Sequence, residues 1–171
     1  AEGNGSFYGA WWALKADGVA NALGLRTISQ VGELTQGSGL GDQYGNSIAL
    51  NQEGTRMVVG APRYSDSLDN AGQVIVLSLE NNNWTVLGNK LEGQQQNAHF
   101  GKKVAINNAG DTIASGYFFD IDNQSDLAVI KVFKLMGSEW LQLGSDISGA
   151  NIGDLTNASI SLNEQGYVLA I

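Results

Sequence analysis

The chain has 171 residues, 43% of them hydrophobic, with 23 glycines, one proline, no cysteine, a formal net charge of −8 and a pI near 4.4. The length suits one ordinary domain with a packed core, and the missing thiols exclude disulfides, thiolate metal sites and cysteine nucleophiles. The acidity argues against nucleic acid or an anionic membrane as partner, because the phosphate term is repulsive, and no apolar run approaches the roughly 18 residues of a membrane helix.

In chain order, Ala1-Glu2-Gly3-Asn4-Gly5 has no initiator Met and no basic region before an apolar core, so it reads as a mature or internal start and not as a signal peptide. Residues 11–23 carry enough Ala and Leu for a helix, but Gly18 and Asn21 weaken that reading, and a strand is preferred. Ser47–Leu50 alternates as a short strand. Asn51-Gln52-Glu53-Gly54 makes a hairpin turn, and residues 55–61 form a second, more apolar strand. A polar loop over 63–71 leads to a β-branched third strand over 72–79. Asn81-Asn82-Asn83 turns the chain into a short fourth strand over 84–87, followed by Gly88. The same order returns in Lys103–Ile106, residues 112–116, a loop over 119–126, a strand over 127–134, a turn at Gly137 and a strand over 140–143 with Gly144.

The return has a fixed register. Ile106, Asn107, Gly110 and Gly116 lie 56 residues after Leu50, Asn51, Gly54 and Gly60, and Leu162, Asn163 and Gly166 lie another 56 on. Ile28 and Gly32 sit 56 before Trp84 and Gly88. Each unit is therefore four antiparallel strands in about 56 residues, too small a sheet to bury its faces alone. Stacking of units gives an all-β protein, a radial β-propeller in preference to a linear array. Apolar runs such as residues 74–77 predict a sheet covered on both faces. Residues 1–40 then form the end of one blade, 41–96 a second, 97–152 a third and 153–171 the start of a fourth. About three blades are too few to close a propeller, so the expectation is a piece of a longer chain, or a protomer needing another for closure.

Phe100-Gly101, Val104-Ala105-Ile106 and, in the neighbouring copy, Met57-Val58-Val59-Gly60-Ala61-Pro62 resemble the FG-GAP repeat of integrin-alpha-like propellers. The segment from Trp140 to Gly149, opening Trp140-Leu141-Gln142-Leu143-Gly144, and its copy from Trp84 to Gly93 are similar to the W-x-x-L-G linkers between blades of large repeat-bearing secreted or surface proteins. The resemblance covers residues 28–171. It implies a seven-bladed fold, extracellular or cell-surface placement, adhesion or protein binding, and no catalysis. The calcium-binding variant of that family carries an Asp/Asn-rich loop between the first two strands. Here those turns are too short and too poor in carboxylates for an ion needing six to eight oxygens, so calcium is not transferred to them.

Asp120, Asp122 and Asp126 are the candidate metal ligands, spaced as positions one, three and seven of a calcium loop. The loop lacks the glycine at position six and the closing Glu, which favours a solvated polar loop and no cofactor. His99 is the single histidine and has no Cys or second His to join it. Lys102-Lys103 is too small for a nucleic-acid patch. Trp11-Trp12 offers a stacking platform for sugar rings, against which Trp84 and Trp140 suggest one packing aromatic per unit. Of four sequons, at Asn4, Asn83, Asn123 and Asn157, the candidates for glycosylation are Asn83 and Asn123.

The functional expectation is a non-enzymatic extracellular propeller module for adhesion or protein–protein interaction, with protein or glycan partners, further copies of itself, or the rest of a longer chain. Its alternatives are a structural subunit of an extracellular filament or coat, and part of a propeller hydrolase with catalytic residues elsewhere.

Overall fold

The computed structural model describes residues 10–16, 28–118, 128–149 and 159–171. Every helix or strand among them is a β-strand. Strands β1 (Ala10–Ala16) and β2 (Ile28–Gln36) make a first sheet. The second holds β3 (Ser47–Leu50), β4 (Arg56–Ala61), β5 (Gln73–Glu80), β6 (Asn83–Val86) and β7 (Leu91–Glu92). The third holds β8 (Lys103–Ile106), β9 (Thr112–Phe118), β10 (Ala128–Met136), β11 (Glu139–Gln142) and β12 (Ile147–Ser148). A fourth pairs β13 (Ser161–Leu162) with β14 (Leu169–Ala170). The ladders within the sheets are antiparallel. The fold is all-β, and residues 11–16 are strand, not helix; residues 17–23 lie outside the described set.

One feature of the unit differs from expectation. Each complete sheet has five strands, because the fourth row is split. β6 pairs with the C-terminal half of β5 (Leu77↔Val86 to Glu80↔Asn83), and β7 continues along the same edge (Gln73↔Glu92, Val74↔Leu91). Residues 87–90 bulge out between them. β11 and β12 divide the edge of β10 in the same way. A bulge frees main-chain groups from the ladder, and here the freed carbonyl is used. The Trp140 indole Nε1 donates to the Leu87 carbonyl at 2.8 Å, and the Trp84 indole donates to the Val31 carbonyl at 3.1 Å. Gly32 and Gly88, at φ +75° and +79°, lie against these rings; a Cβ on Gly88 would stand 2.7 Å from Trp140 Cδ1. Each tryptophan thus pins its sheet to the sheet before it.

The hairpin turns share one side-chain device. Asn51 Oδ1 accepts from the backbone N–H of Thr55 and Arg56 at 2.9 and 2.8 Å. Asn107 does the same for Asp111 and Thr112, and Asn163 for Tyr167 and Val168. The side chain replaces the partners that a tight turn strips from the backbone. The turns also stack on one another. Asn108 Nδ2 donates to Gln52 Oε1 on one side, and its backbone N–H donates to the Glu164 carbonyl on the other.

Sheets pack in sequence: β2 on β6, β3 and β4 on β8, β8 and β9 on β13. β5 is buried on both faces, as its apolar run predicts. Val74 and Val76 face Phe100, Val104, Ile113, Phe133 and Trp140, while Ile75 and Leu77 face Tyr44 and Trp84. Burying each such side chain is worth about 1.5–3 kcal/mol. A third cluster, Ala105, Ala114 and Ile130 with Leu162 and Leu169, joins the third sheet to the fourth. Between the second and third sheets the backbones touch at Gly60 and Gly101. A Cβ on Gly60 would fall on the Gly101 carbonyl, which leaves room for no side chain. The two halves of the Phe-Gly and Gly-Ala-Pro pattern are therefore neighbours across this interface.

Candidate functional site

The connection from the second sheet into the third runs along the mouth of their interface. Its backbone is zipped to the preceding loop, with Asn97, His99 and Phe100 N–H groups donating to the carbonyls of Asp69, Asn70 and Ala71. Opposite it stand the odd-numbered side chains of β9 and β10, which face the second sheet. Between the two lies a cavity of about 330 Å³. Leu91, Ala98, Phe100 and Phe133, all buried, make its apolar floor. Phe100 meets Phe133 and Tyr117 edge-on, with ring centroids 6.1 and 6.2 Å apart.

Its other wall is polar and tied together. Lys131 Nζ lies 2.9 Å from Asp146 Oδ1 and donates to Gln142 Oε1 at 3.3 Å. Gln142 Nε2 donates to Asp146 Oδ1 at 2.8 Å, and the Tyr117 hydroxyl donates to Asp146 Oδ2 at 3.3 Å. The Lys131 ammonium also sits 5.8 Å from the Tyr117 ring centroid, within cation–π reach. The hydrogen bond from Lys131 holds the Asp146 carboxyl below its usual range against the opposing effect of burial. Burial, reinforced by the Asp146 charge, pushes the Tyr117 phenol up to about 12. At neutral pH the wall is a fixed row holding a cation, an anion, an amide and a neutral phenol. Such a row can donate to and accept from a bound ligand; no nucleophile–base pair is set up in it.

A second cleft of about 240 Å³ lies between the first and second sheets, lined by Thr35, Tyr44, Ala61, Ile75, Leu77 and Val86, with Lys90 at its edge. These are the positions 56 residues before Leu91, Phe100, Tyr117, Lys131, Phe133, Gln142 and Asp146. The two clefts share a backbone frame, and the polar wall belongs to the later one alone.

The cleft brings together none of the residues the sequence singled out as candidate sites. Asp120, Asp122, Asp126 and Asn123 lie outside the described residues, and among the described residues no group of three or more His, Cys, Asp or Glu side chains gathers. Asn83 is exposed but opens β6 instead of lying in the turn, which is confined to Asn81 and Asn82, both at positive φ. The hydroxyl of its sequon partner Thr85 donates to the Ser78 carbonyl. His99 is a turn residue at φ +52°, as Gln43 is at φ +56°, and each backbone carbonyl accepts from the N–H three residues on. Trp11 and Trp12 lie in β1, and their side chains are outside the described set. Lys102 and Lys103 lead into β8. Tyr117, Lys131 and Gln142 were legible only by aligning the copies and asking where an apolar residue becomes polar; Asp146 stands where the preceding copy has Lys90. Ala61 gives way to Tyr117, Ile75 to Lys131 and Val86 to Gln142.

No protein-family model matches the chain, and no curated protein matches it. Among the described residues no helix is long and apolar enough to cross a membrane.

Proposed function

We propose that the chain is a non-enzymatic recognition module of an extracellular or cell-surface protein, whose sheets are the blades of a β-propeller of the FG-GAP-like kind. On this reading residues 1–40, 41–96, 97–152 and 153–171 belong to successive blades, and its partners are proteins or glycans. One observation carries it: the same inter-sheet cleft occurs twice, 56 residues apart, on one backbone frame with different linings. A constant frame that presents varied side chains is the arrangement of a binding surface. The main-chain contact at Gly60 and Gly101 and the indole pins make that frame rigid.

The test is adhesion. Beads coated with the full chain are expected to adhere to glycosylated cell surfaces and to lose adhesion when Gln142, an exposed side chain of the cleft, is replaced by Ala. Uncoated-level adhesion of the native protein would overturn the reading. A second reading, a filament or coat subunit, is favoured by the exposed Met136, Leu141, Leu143 and Ile147 of the third sheet and by Tyr167, Val168 and Ile171 near the fourth. Sedimentation over a wide concentration range separates the two, since only the coat subunit grows with concentration.

A further inference from the structure

The cleft between the second and third sheets can be read further, on the premise that the chain is a recognition module. Its lining carries two cations, Lys90 and Lys131, and two anions, Glu92 and Asp146, so its charges cancel. An ionic ligand would leave one of them unbalanced in a partly buried space, at a cost in desolvation. A purely apolar ligand would strip water from the Lys131–Gln142–Asp146 wall and replace none of its hydrogen bonds. The ligand that suits the space is neutral, rich in hydroxyl groups that both donate and accept, and apolar on one face.

The network itself argues for a ligand. The fold does not need it, because the equivalent cleft stands with Ala61, Ile75, Val86 and Lys90 in place of Tyr117, Lys131, Gln142 and Asp146. Four exchanges on three strands and a turn have built one connected polar wall beside an aromatic floor, which preorganises donors and acceptors before a ligand arrives. The cavity volume lies at the small end of ligand pockets. We propose that this cleft binds a neutral pyranose sugar, its hydroxyls on Lys131, Gln142 and Asp146 and its C–H face against Phe100 and Phe133.

The test is an amide NMR titration of the whole chain with free glucose, galactose, mannose and N-acetylglucosamine, with glucuronate and glucosamine as charged comparators. At least one neutral sugar is expected to shift amides saturably at residues 91–100, 117, 131–133 and 142–146, with no change at 35–44 and 75–77. Lys131→Met and Asp146→Asn are each expected to weaken that binding about tenfold, the loss of a charge-assisted hydrogen bond. If Lys131→Met unfolds, Gln142→Ala, which removes an exposed side chain, serves in its place. No saturable shift with any neutral sugar, a charged sugar binding more tightly, or unchanged affinity in the variants would each overturn the sugar site. Adhesion of coated beads that persists without sugar binding would leave the recognition reading standing; loss of both would remove it as well.

Discussion

Asn107 and Asn163 do the same work in different surroundings, and the comparison isolates what burial adds. Each side-chain oxygen takes two backbone N–H groups, but Asn107 is 2% exposed while Asn163 is half-buried and serves the exposed Tyr167 and Val168. Water can replace a lost acceptor only at the second. Asn107→Ala is therefore expected to cost about 1–3 kcal/mol in denaturant unfolding and Asn163→Ala well under half of that; equal losses would mean that the hydrogen bonds are not what the asparagine supplies. Tyr117 gives a second test. Its phenol is held protonated, so its contribution to stability is complete below the ordinary tyrosine value near 10 and is lost as pH rises toward about 12. Asp146 has the opposite sign: its depressed carboxyl stabilises the fold above the usual carboxylate range and ceases to do so as pH falls through its own lower value. Absorbance titration at alkaline pH is expected to show a late-titrating step that Tyr117→Phe removes, while Tyr64, whose phenol burial also raises, keeps its own. Its survival in the variant would assign the late step elsewhere.

At the scale of the strand, the bulge in the fourth row joins sheet to sheet. Gly88 and Gly144 have nearly the same backbone, φ +79° and +76°, but only Gly88 has an indole within 4 Å among the described residues. Gly144→Ala should cost only the left-handed penalty, about 1–2 kcal/mol, whereas Gly88→Ala adds a collision with Trp140. A double-mutant cycle of Gly88→Ala with Trp140→Ala is expected to be strongly non-additive, since the second change removes the obstacle created by the first. Additive losses would show that the ring and the glycine are not coupled. The bulge also marks where the sequence stopped being readable. Ser47–Leu50 and Lys103–Ile106 were plain from alternation and flanking turns, and the buried β5 from its β-branched run. Leu91–Glu92 and Ile147–Ser148 were missed because two residues carry no periodicity; they are strands only because β6 and β11 leave half of an edge unpaired. Gly32 and Gly88 were visible as repeated letters, but the reason for them lies in a ring supplied by the next sheet. The cleft failed to show for a related reason. Its residues come from β7, β9, β10, β11 and the connections, spread from Lys90 to Asp146, and only a comparison with the preceding copy betrays them.

For the whole molecule, the order of packing predicts how stability is distributed. Each sheet touches the sheets next to it in sequence: the second is covered on both faces, the third joins the fourth through Ala105, Ala114 and Ile130, and β13 and β14 contribute two residues each. In such a stack stability is a sum of unit and nearest-neighbour terms, so units with fewer covered faces open first. β4 and β5 hold Met57, Val58, Val59, Val74 and Val76 at 0–1% exposure, and β9 holds Ile113 and Ala114 at 0%. Tyr167 and Val168, leading into β14, are 87% and 60% exposed. Native-state hydrogen exchange should accordingly give the slowest amides in β4, β5, β9 and β10, intermediate ones in β3 and β8, and the fastest in β13 and β14. Gly60→Val, which places a side chain where the Gly101 carbonyl lies, should speed exchange in both central sheets together, because it forces apart the interface they share. Faster exchange in the second sheet alone would mean that the two sheets are stabilised independently, and the shared apolar cluster between them would not be the core of the molecule.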